Sequence, residues 1–326
     1  MISSGCSTVY IGGRLMSEKL KVKSVYELTP MQEGIFYNYL YDPKSSAYFE
    51  QMIIKIQGDL DIGVLEQSFQ GVVQKYDILR TNFLNKKAKI PVQVVMEKRE
   101  LNIQYIDTDI LQPEKRDGFL SDFLEEDKNN GFDLEKGMLF RVALIRTGKF
   151  LYNLVISYHH IIMDGWSKSI ILQEVFERYR ALRNHLNYSE GNVRQFGEYI
   201  KWLQTQKKEE AVDYWKSYLK DISGTSFLPK TEKLDSSIYV QKEYKYVLDS
   251  KLSEGLIALS KEYKLSVSSI LQSIWAVLLH KYSNEKDAVF GVVMSGRNPQ
   301  IKDIENMAGI FINTVPLRVS IKECGE

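Results

Sequence analysis

The 326-residue sequence predicts an α/β (α+β) fold built as two lobes. Strand-type stretches, alternating or wholly apolar, are interleaved with segments of helical period along the whole chain. A polar stretch, Leu186-Asn187-Tyr188-Ser189-Glu190-Gly191-Asn192, separates two halves of this kind. A chain of this length also exceeds what one hydrophobic core ordinarily organises. The expected divisions are a flexible leader over residues 1–23, an N-terminal lobe over 24–188 and a C-terminal lobe over 189–326.

Thr29-Pro30-Met31-Gln32 reads as a helix start: Thr29 caps, Pro30 fits the first turn and Gln32 completes a capping box. That helix is expected to reach about Leu40. A strand follows over 49–57, closed by Gly58-Asp59. An amphipathic helix over 64–76 carries Leu65, Phe69, Val72, Val73 and Tyr76 on one face. Strands are expected over 79–83, 90–96 and 101–106, then a charged helix over 114–129. Gly131-Phe132-Asp133-Leu134 is a turn. Residues 139–146 and 150–157 read as a hairpin around Gly148-Lys149. A helix over 167–183 ends near His185.

Beyond the polar break, helices are expected over 193–206 and 209–219, a loop over 222–237 and a strand over 239–248. A helix over 250–263 precedes one that Ser266 caps and that continues to Tyr282, mostly apolar and therefore expected to be buried. A buried strand over 288–294, a loop at Ser295-Gly296-Arg297-Asn298-Pro299 and a last strand over 310–319 complete the chain. The second half is short of strands, so its lobe is expected to be incomplete.

Composition narrows the classes of function. Hydrophobic residues at 44% and charged residues at 26% are ordinary for a soluble globular enzyme. A formal net charge of +1 supplies no global field towards nucleic acid or a membrane surface. No apolar run is long enough to span a bilayer, and Met1 to Lys23 lack the apolar core of a secretory signal. Cys6 and Cys324 cannot make a disulfide framework, so the expected compartment is cytoplasmic.

The chemistry is concentrated in Tyr158-His159-His160-Ile161-Ile162-Met163-Asp164-Gly165-Trp166-Ser167. It holds two of the four histidines and lies where a strand gives way to a helix. Adjacent residues on an extended chain point to opposite faces, so only one of His159 and His160 could readily share a metal with Asp164; His185 and His280 stand apart in helical contexts, and no metal is expected. General-base chemistry fits better. One imidazole, titrating near neutrality, projects into a cleft while the other packs inward against backbone. The helix N-terminus at Gly165 to Ser167 offers N–H groups to a developing oxyanion, and Gly165 allows close approach. A carboxylate at Asp164 more often braces such a loop by pairing with an arginine than takes part in the reaction.

The His-His-x-x-x-Asp-Gly pattern resembles the signature of condensation domains of non-ribosomal peptide synthetases, which is shared with the wider chloramphenicol acetyltransferase-like acyltransferases. Leu28-Thr29-Pro30-Met31-Gln32-Glu33-Gly34 and Tyr76-Asp77-Ile78-Leu79-Arg80-Thr81-Asn82-Phe83 are similar to the first two condensation-domain motifs. Gly131-Phe132-Asp133-Leu134, Ser295-Gly296-Arg297 and Gly309-Ile310-Phe311-Ile312-Asn313-Thr314 are similar to further ones, in the family's order.

The resemblance implies two acetyltransferase-like lobes in a V with a central tunnel. Phosphopantetheine arms of donor and acceptor carrier proteins enter from opposite sides, and the acceptor amine attacks the donor thioester to form a peptide bond. No cofactor is bound by the domain itself. By the same resemblance His160 is catalytic with Gly165 and His159, Asp164 is structural and paired with Arg80, and Trp166, Ser295 and Asn313 line the tunnel. The forms of the first and third motifs resemble the class that accepts a donor ending in a D-residue. Partners implied are the two carrier proteins, an upstream synthetase docking on the N-terminal segment and a downstream adenylation domain. The alternative is a non-catalytic remnant or a module that only docks carrier proteins.

Overall fold

A computed structural model describes residues 21–43, 45–85, 90–110, 118–222 and 244–321. Cys6, Cys324 and most of the expected leader lie outside them. The chain forms two compact units. The first is the chain up to Gln204 together with Arg297–Phe311; the second is Thr205–Gly296 and the chain from Ile312 onward. This division departs from the expected boundary at 188/189 in two places: the helix after the polar break stays with the first unit, and a later segment returns to it.

The first unit holds two sheets. Strand β1 (Val22–Glu27), a strand not anticipated because its Val-Lys-Ser-Val-Tyr-Glu pattern is largely polar and exposed, pairs antiparallel with β4 (Val92–Met96), which also pairs with β3 (Thr81–Leu84). The second sheet has the order β2 (Phe49–Gln57), β7 (Leu151–His159), β6 (Phe140–Gly148), β5 (Gln104–Asp107). The β6–β7 hairpin turns through Phe150, whose φ of 69° makes it a turn residue rather than the expected start of the strand.

Helix α1 (Pro30–Tyr41) begins with the expected capping box, the Thr29 hydroxyl accepting from the Gln32 N–H and the Gln32 amide oxygen from the Thr29 N–H. Helix α2 (Ile62–Lys75) buries Leu65, Phe69, Val72 and Val73. It packs on α4 (Gly165–Arg183), where a side chain at Gly71 would collide with the Arg178 guanidinium, and Lys75 pairs with Glu174 at 2.8 Å. Helix α3 (Phe119–Asn130) covers Ala143, Ile145 and Val155 of the four-stranded sheet with Phe119, Leu120, Phe123 and Leu124. Helix α5 (Phe196–Gln204) lies so close to β1 that a Cβ on Gly197 would strike the Tyr26 ring.

The second unit comprises α6 (Lys208–Tyr218), α7 (Ser250–Tyr263), α8 (Val267–Ser283) and the hairpin β8 (Asp287–Met294)–β9 (Asn313–Ser320). The expected strand over 239–248 is not formed where it can be followed. Residues 239–243 lie outside the described set, and Tyr244 to Leu248 are exposed without regular structure, with no strand among the described residues pairing with them. The expectation of a buried α8 also fails. Ile270, Ala276 and Leu279 are buried, but Leu271, Ile274 and Val277 are about half exposed, at 50%, 55% and 45%. A two-stranded hairpin covers one side of a helix, through Ala288, Phe290 and Val319. The outer end of β8, expected to be buried, likewise exposes Val293 and Met294.

One expected pairing is overturned here. Asp77–Arg80 is a 3₁₀ turn rather than the beginning of a strand, and Arg80 does not pair with Asp164. Its guanidinium, 2% exposed, bonds Asp77 at 2.7 Å and donates to the carbonyls of Val73, Gln74 and Met96. Those acceptors lie at the end of α2 and in β4, so the side chain ties helix to sheet within its own neighbourhood. Replacing Arg80 by Ala leaves three carbonyls without their donor and the buried Asp77 with Lys23, at 2.8 Å, as its remaining cation. The expected loss is about 2–4 kcal/mol of stability, measured by urea unfolding, with an unchanged native circular dichroism spectrum.

Candidate active site

The motif sits in the first unit where β7 ends. The register Phe49↔His159 places His159 opposite the first residue of β2, at the sheet margin. The His159 N–H bonds the Leu139 carbonyl at 3.0 Å, and the His160 N–H bonds the Tyr48 carbonyl at 2.8 Å. Gln32, fully buried, extends from α1 to donate to the Ile161 carbonyl and exchanges amide bonds with Gln93. The turn beyond His160 is thus held from three elements, and Ile161, Ile162 and Met163 are buried beneath it. Gln32 was legible in the sequence only as a cap.

The two histidines differ in environment. His159 is 7% exposed and ringed by Tyr39, Tyr48 and Phe132, with centroids 6.1–6.5 Å away. Its Nδ1 accepts the Ile161 N–H at 3.2 Å, which leaves the proton on Nε2. Burial lowers its pKa to about 3, the neighbouring His160 adding to the effect. His159, expected among the catalytic residues, is instead a neutral packing group in this geometry: its burial and its bond to the Ile161 N–H do not suit a proton carrier. His160 is half-buried. Its Nδ1 has no hydrogen-bond partner among the described residues, so no carboxylate orients it as in a hydrolase triad.

Asp164 caps α4. It is completely buried and accepts from the Ser167 N–H at 2.8 Å and the Phe311 N–H at 3.0 Å. The arginine beside it is Arg297, at 3.6 Å, in place of the expected Arg80. Arg297 also donates to the Ser167 hydroxyl and to the carbonyls of Ile304 and Met307, and lies 4.2 Å over the Phe311 ring. The Ser167 hydroxyl donates to the Gly309 carbonyl at 2.6 Å and accepts the Gly309 N–H at 3.0 Å. Gly309 allows this because a side chain there would overlap Phe196.

Gly165 opens α4. A Cβ built on it meets nothing within 4 Å, so the open space before the helix is not required by packing. The Gly165 and Trp166 N–H groups head the helix without an intrahelical acceptor. Trp166 is 55% exposed, and its indole donates to the Glu305 carbonyl at 3.0 Å. Ser295 and Asn313 belong to the second unit. The pairing Met294↔Asn313 sets them at the same end of its hairpin, both exposed. Among the described residues no group of three or more His, Cys, Asp or Glu side chains is placed to hold a metal ion, and no helix is long and apolar enough to cross a membrane. Ser167, Gly309 and Arg297 were not singled out as site residues from the sequence. Arg297 and Gly309 lie within the family-like motifs Ser295-Gly296-Arg297 and Gly309-Ile310-Phe311-Ile312-Asn313-Thr314; Ser167 carries no signal of its own.

The family model of the condensation domain matches residues 22–324. The chain belongs to the condensation-domain family. It is 37% identical over 305 residues to surfactin synthase subunit 3 of Bacillus subtilis (strain 168), an alignment covering 94% of this chain and 24% of that protein. It is 39% identical to bacitracin synthase 3 of Bacillus licheniformis, over 93% of this chain and 5% of that one. The chain thus spans a quarter or less of these relatives. Among solved structures, the first condensation domain of the calcium-dependent antibiotic synthetase, in complex with a substrate analogue, superposes with a TM-score of 0.74 at 19% identity, over 92% of this chain and 71% of that one. A four-domain non-ribosomal peptide synthetase bound to AMP and glycine gives 0.72 at 23% identity, over 93% and 23% of the two chains. The condensation-domain fold, of chloramphenicol acetyltransferase type, is shared with both.

Two measurements probe this geometry. Arg297→Ala leaves the buried Asp164 carboxylate with backbone donors alone, and about 3 kcal/mol of stability should be lost in urea unfolding, less in the Asp164→Asn background. The second concerns pH. His159 binds its proton in the unfolded chain below about pH 6.5 but stays neutral in the folded one down to about 3, so stability falls as pH drops through that window. From this group alone the loss between pH 7 and pH 5 is roughly 2 kcal/mol, and His159→Phe should remove that part of the acid sensitivity.

Proposed function

We propose that this chain forms a peptide bond between a donor peptidyl thioester and an acceptor aminoacyl thioester, each on the phosphopantetheine arm of a carrier protein. The observation that carries this is the division of labour in the motif of a condensation-domain family member. His159 is locked and neutral, Asp164 is consumed by structure, and His160 is only partly buried, with an Nδ1 that has no hydrogen-bond partner among the described residues.

The acceptor amine attacks the donor carbonyl. His160 takes a proton from the amine as the C–N bond forms, or holds that N–H while the tetrahedral intermediate collapses. The C–S bond then breaks, and the departing sulfur leaves as the thiol of the donor arm once it regains a proton. The unclaimed N–H groups of Gly165 and Trp166 supply donors to the oxyanion. Hydroxyl or thiol nucleophiles are not needed, because the attacking group arrives on the acceptor. Motif forms favour a donor ending in a D-residue, the kinship with multidomain synthetases favours carrier proteins and a neighbouring adenylation domain as partners, and the N-terminal segment would dock an upstream synthetase.

The test uses donor and acceptor carriers loaded with aminoacyl groups. His160→Ala should lower kcat by about 10²–10⁴-fold. Turnover equal to that of the unaltered chain would remove His160 from the mechanism. Binding of both carriers without any turnover would instead mark a docking module, and transfer from coenzyme A thioesters without carriers would mark a stand-alone acyltransferase.

A further inference from the structure

Behind His159 the four-stranded sheet carries a charged cluster that the reaction described above leaves unused. The register sets Gln51, Ser157 and Arg141 in one row across β2, β7 and β6. All three converge on Asp127 in the last turn of α3: Gln51 Nε2 donates at 2.9 Å, Arg141 Nη2 pairs at 2.7 Å, and the Ser157 hydroxyl donates to the same carboxylate. Arg141 further donates to the Asp127 carbonyl at 3.0 Å and to the Gly131 carbonyl at 2.6 Å. These are orphan carbonyls at a helix C-terminus, where a cation is favoured. The guanidinium also lies 4.1 Å from the centroid of Phe132. Phe132 stacks on Phe49 at 5.6 Å and meets His159 with the two ring planes perpendicular, at 6.5 Å and 89°.

We propose that Arg141 is a positioning residue for His160, acting through Phe132 and His159. The proposal rests on the reading of His160 as the reacting imidazole. An ion pair with Asp127 alone would need only a charge. This side chain in addition caps the helix, grips the Gly131 carbonyl and lies over a ring, a combination that the planar guanidinium fork provides and an ammonium does not. The grip on Gly131 fixes the turn that carries Phe132. Phe132 in turn closes one side of the cage around His159. A confined His159 ring keeps its Nδ1 on the Ile161 N–H, the bond that spans His160 and sets the direction in which its side chain leaves the strand. If the His159 ring is free to rotate, that bond is lost and His160 is displaced.

Two substitutions in the 326-residue chain test this, each confirmed as folded by circular dichroism. Arg141→Lys keeps the charge and removes the planar fork; Phe132→Leu keeps apolar volume and removes the ring. In both, ¹⁵N histidine spectra should show His159 leaving its single Nε2–H tautomer for a mixture. With loaded carriers, kcat should drop about tenfold to a hundredfold while KM for the acceptor stays nearly constant, the signature of a misplaced group rather than of weakened binding. A wild-type tautomer signature in either folded variant overturns the proposal, whatever happens to kcat. The tautomer measurement needs no turnover, so its outcome is independent of the His160→Ala test.

Discussion

A single buried carboxylate organises the region around the motif. Asp164 has no exposure at all, and a carboxylate in that position is tolerable only when its oxygens are satisfied. The donors come from Ser167 at the head of α4 and from Phe311, 147 positions away, with Arg297 supplying the opposite charge. Satisfying one ion therefore obliges a late segment of the chain to fold against an early one. The segment from Arg297 to Phe311 belongs to the first unit for this reason, and the Ser167–Gly309 bonds and the packing of Phe196 against Phe311 add to it.

The same constraint sorts the motif residues by role. With its lone pairs taken by backbone donors and its charge answered by Arg297, Asp164 is poorly placed to shuttle protons. His159 spends its Nδ1 on the Ile161 N–H and is shut among aromatic rings that resist its protonation. His160 is less buried than either, and its Nδ1 has no hydrogen-bond partner among the described residues. Two adjacent histidines thus meet different surroundings, one caged among rings and one at the turn beyond the strand, which is the contrast the proposed role of His160 rests on.

Much of this was legible in the sequence. The capping box at Thr29, the helix expected over 64–76, the β6–β7 hairpin and the strand-to-helix crossover at the motif follow from local rules of periodicity, capping and turns, which act over a few residues. The family, too, was legible, because its motifs are short and ordered. What local rules did not disclose was partnership. The resemblance pointed to Arg80 as the partner of Asp164, and Arg297 entered only as part of Ser295-Gly296-Arg297. Arg80 is claimed by Asp77 and the carbonyls at the end of α2, so its charge is answered before Asp164 is reached.

The apolar character of α8 likewise predicted burial, whereas burial depends on what a neighbouring layer covers, and one hairpin covers one side. The polar pattern of β1 concealed a strand that exists because β4 offers it a ladder. The sequence by itself determined most of the helices and strands of the first unit, the family and the motif on which the proposed chemistry rests. Tertiary structure alone decided which arginine answers Asp164, where the chain divides into units and which histidine is shielded, because each depends on groups brought together from distant positions and on the cost of burying a charge without a partner.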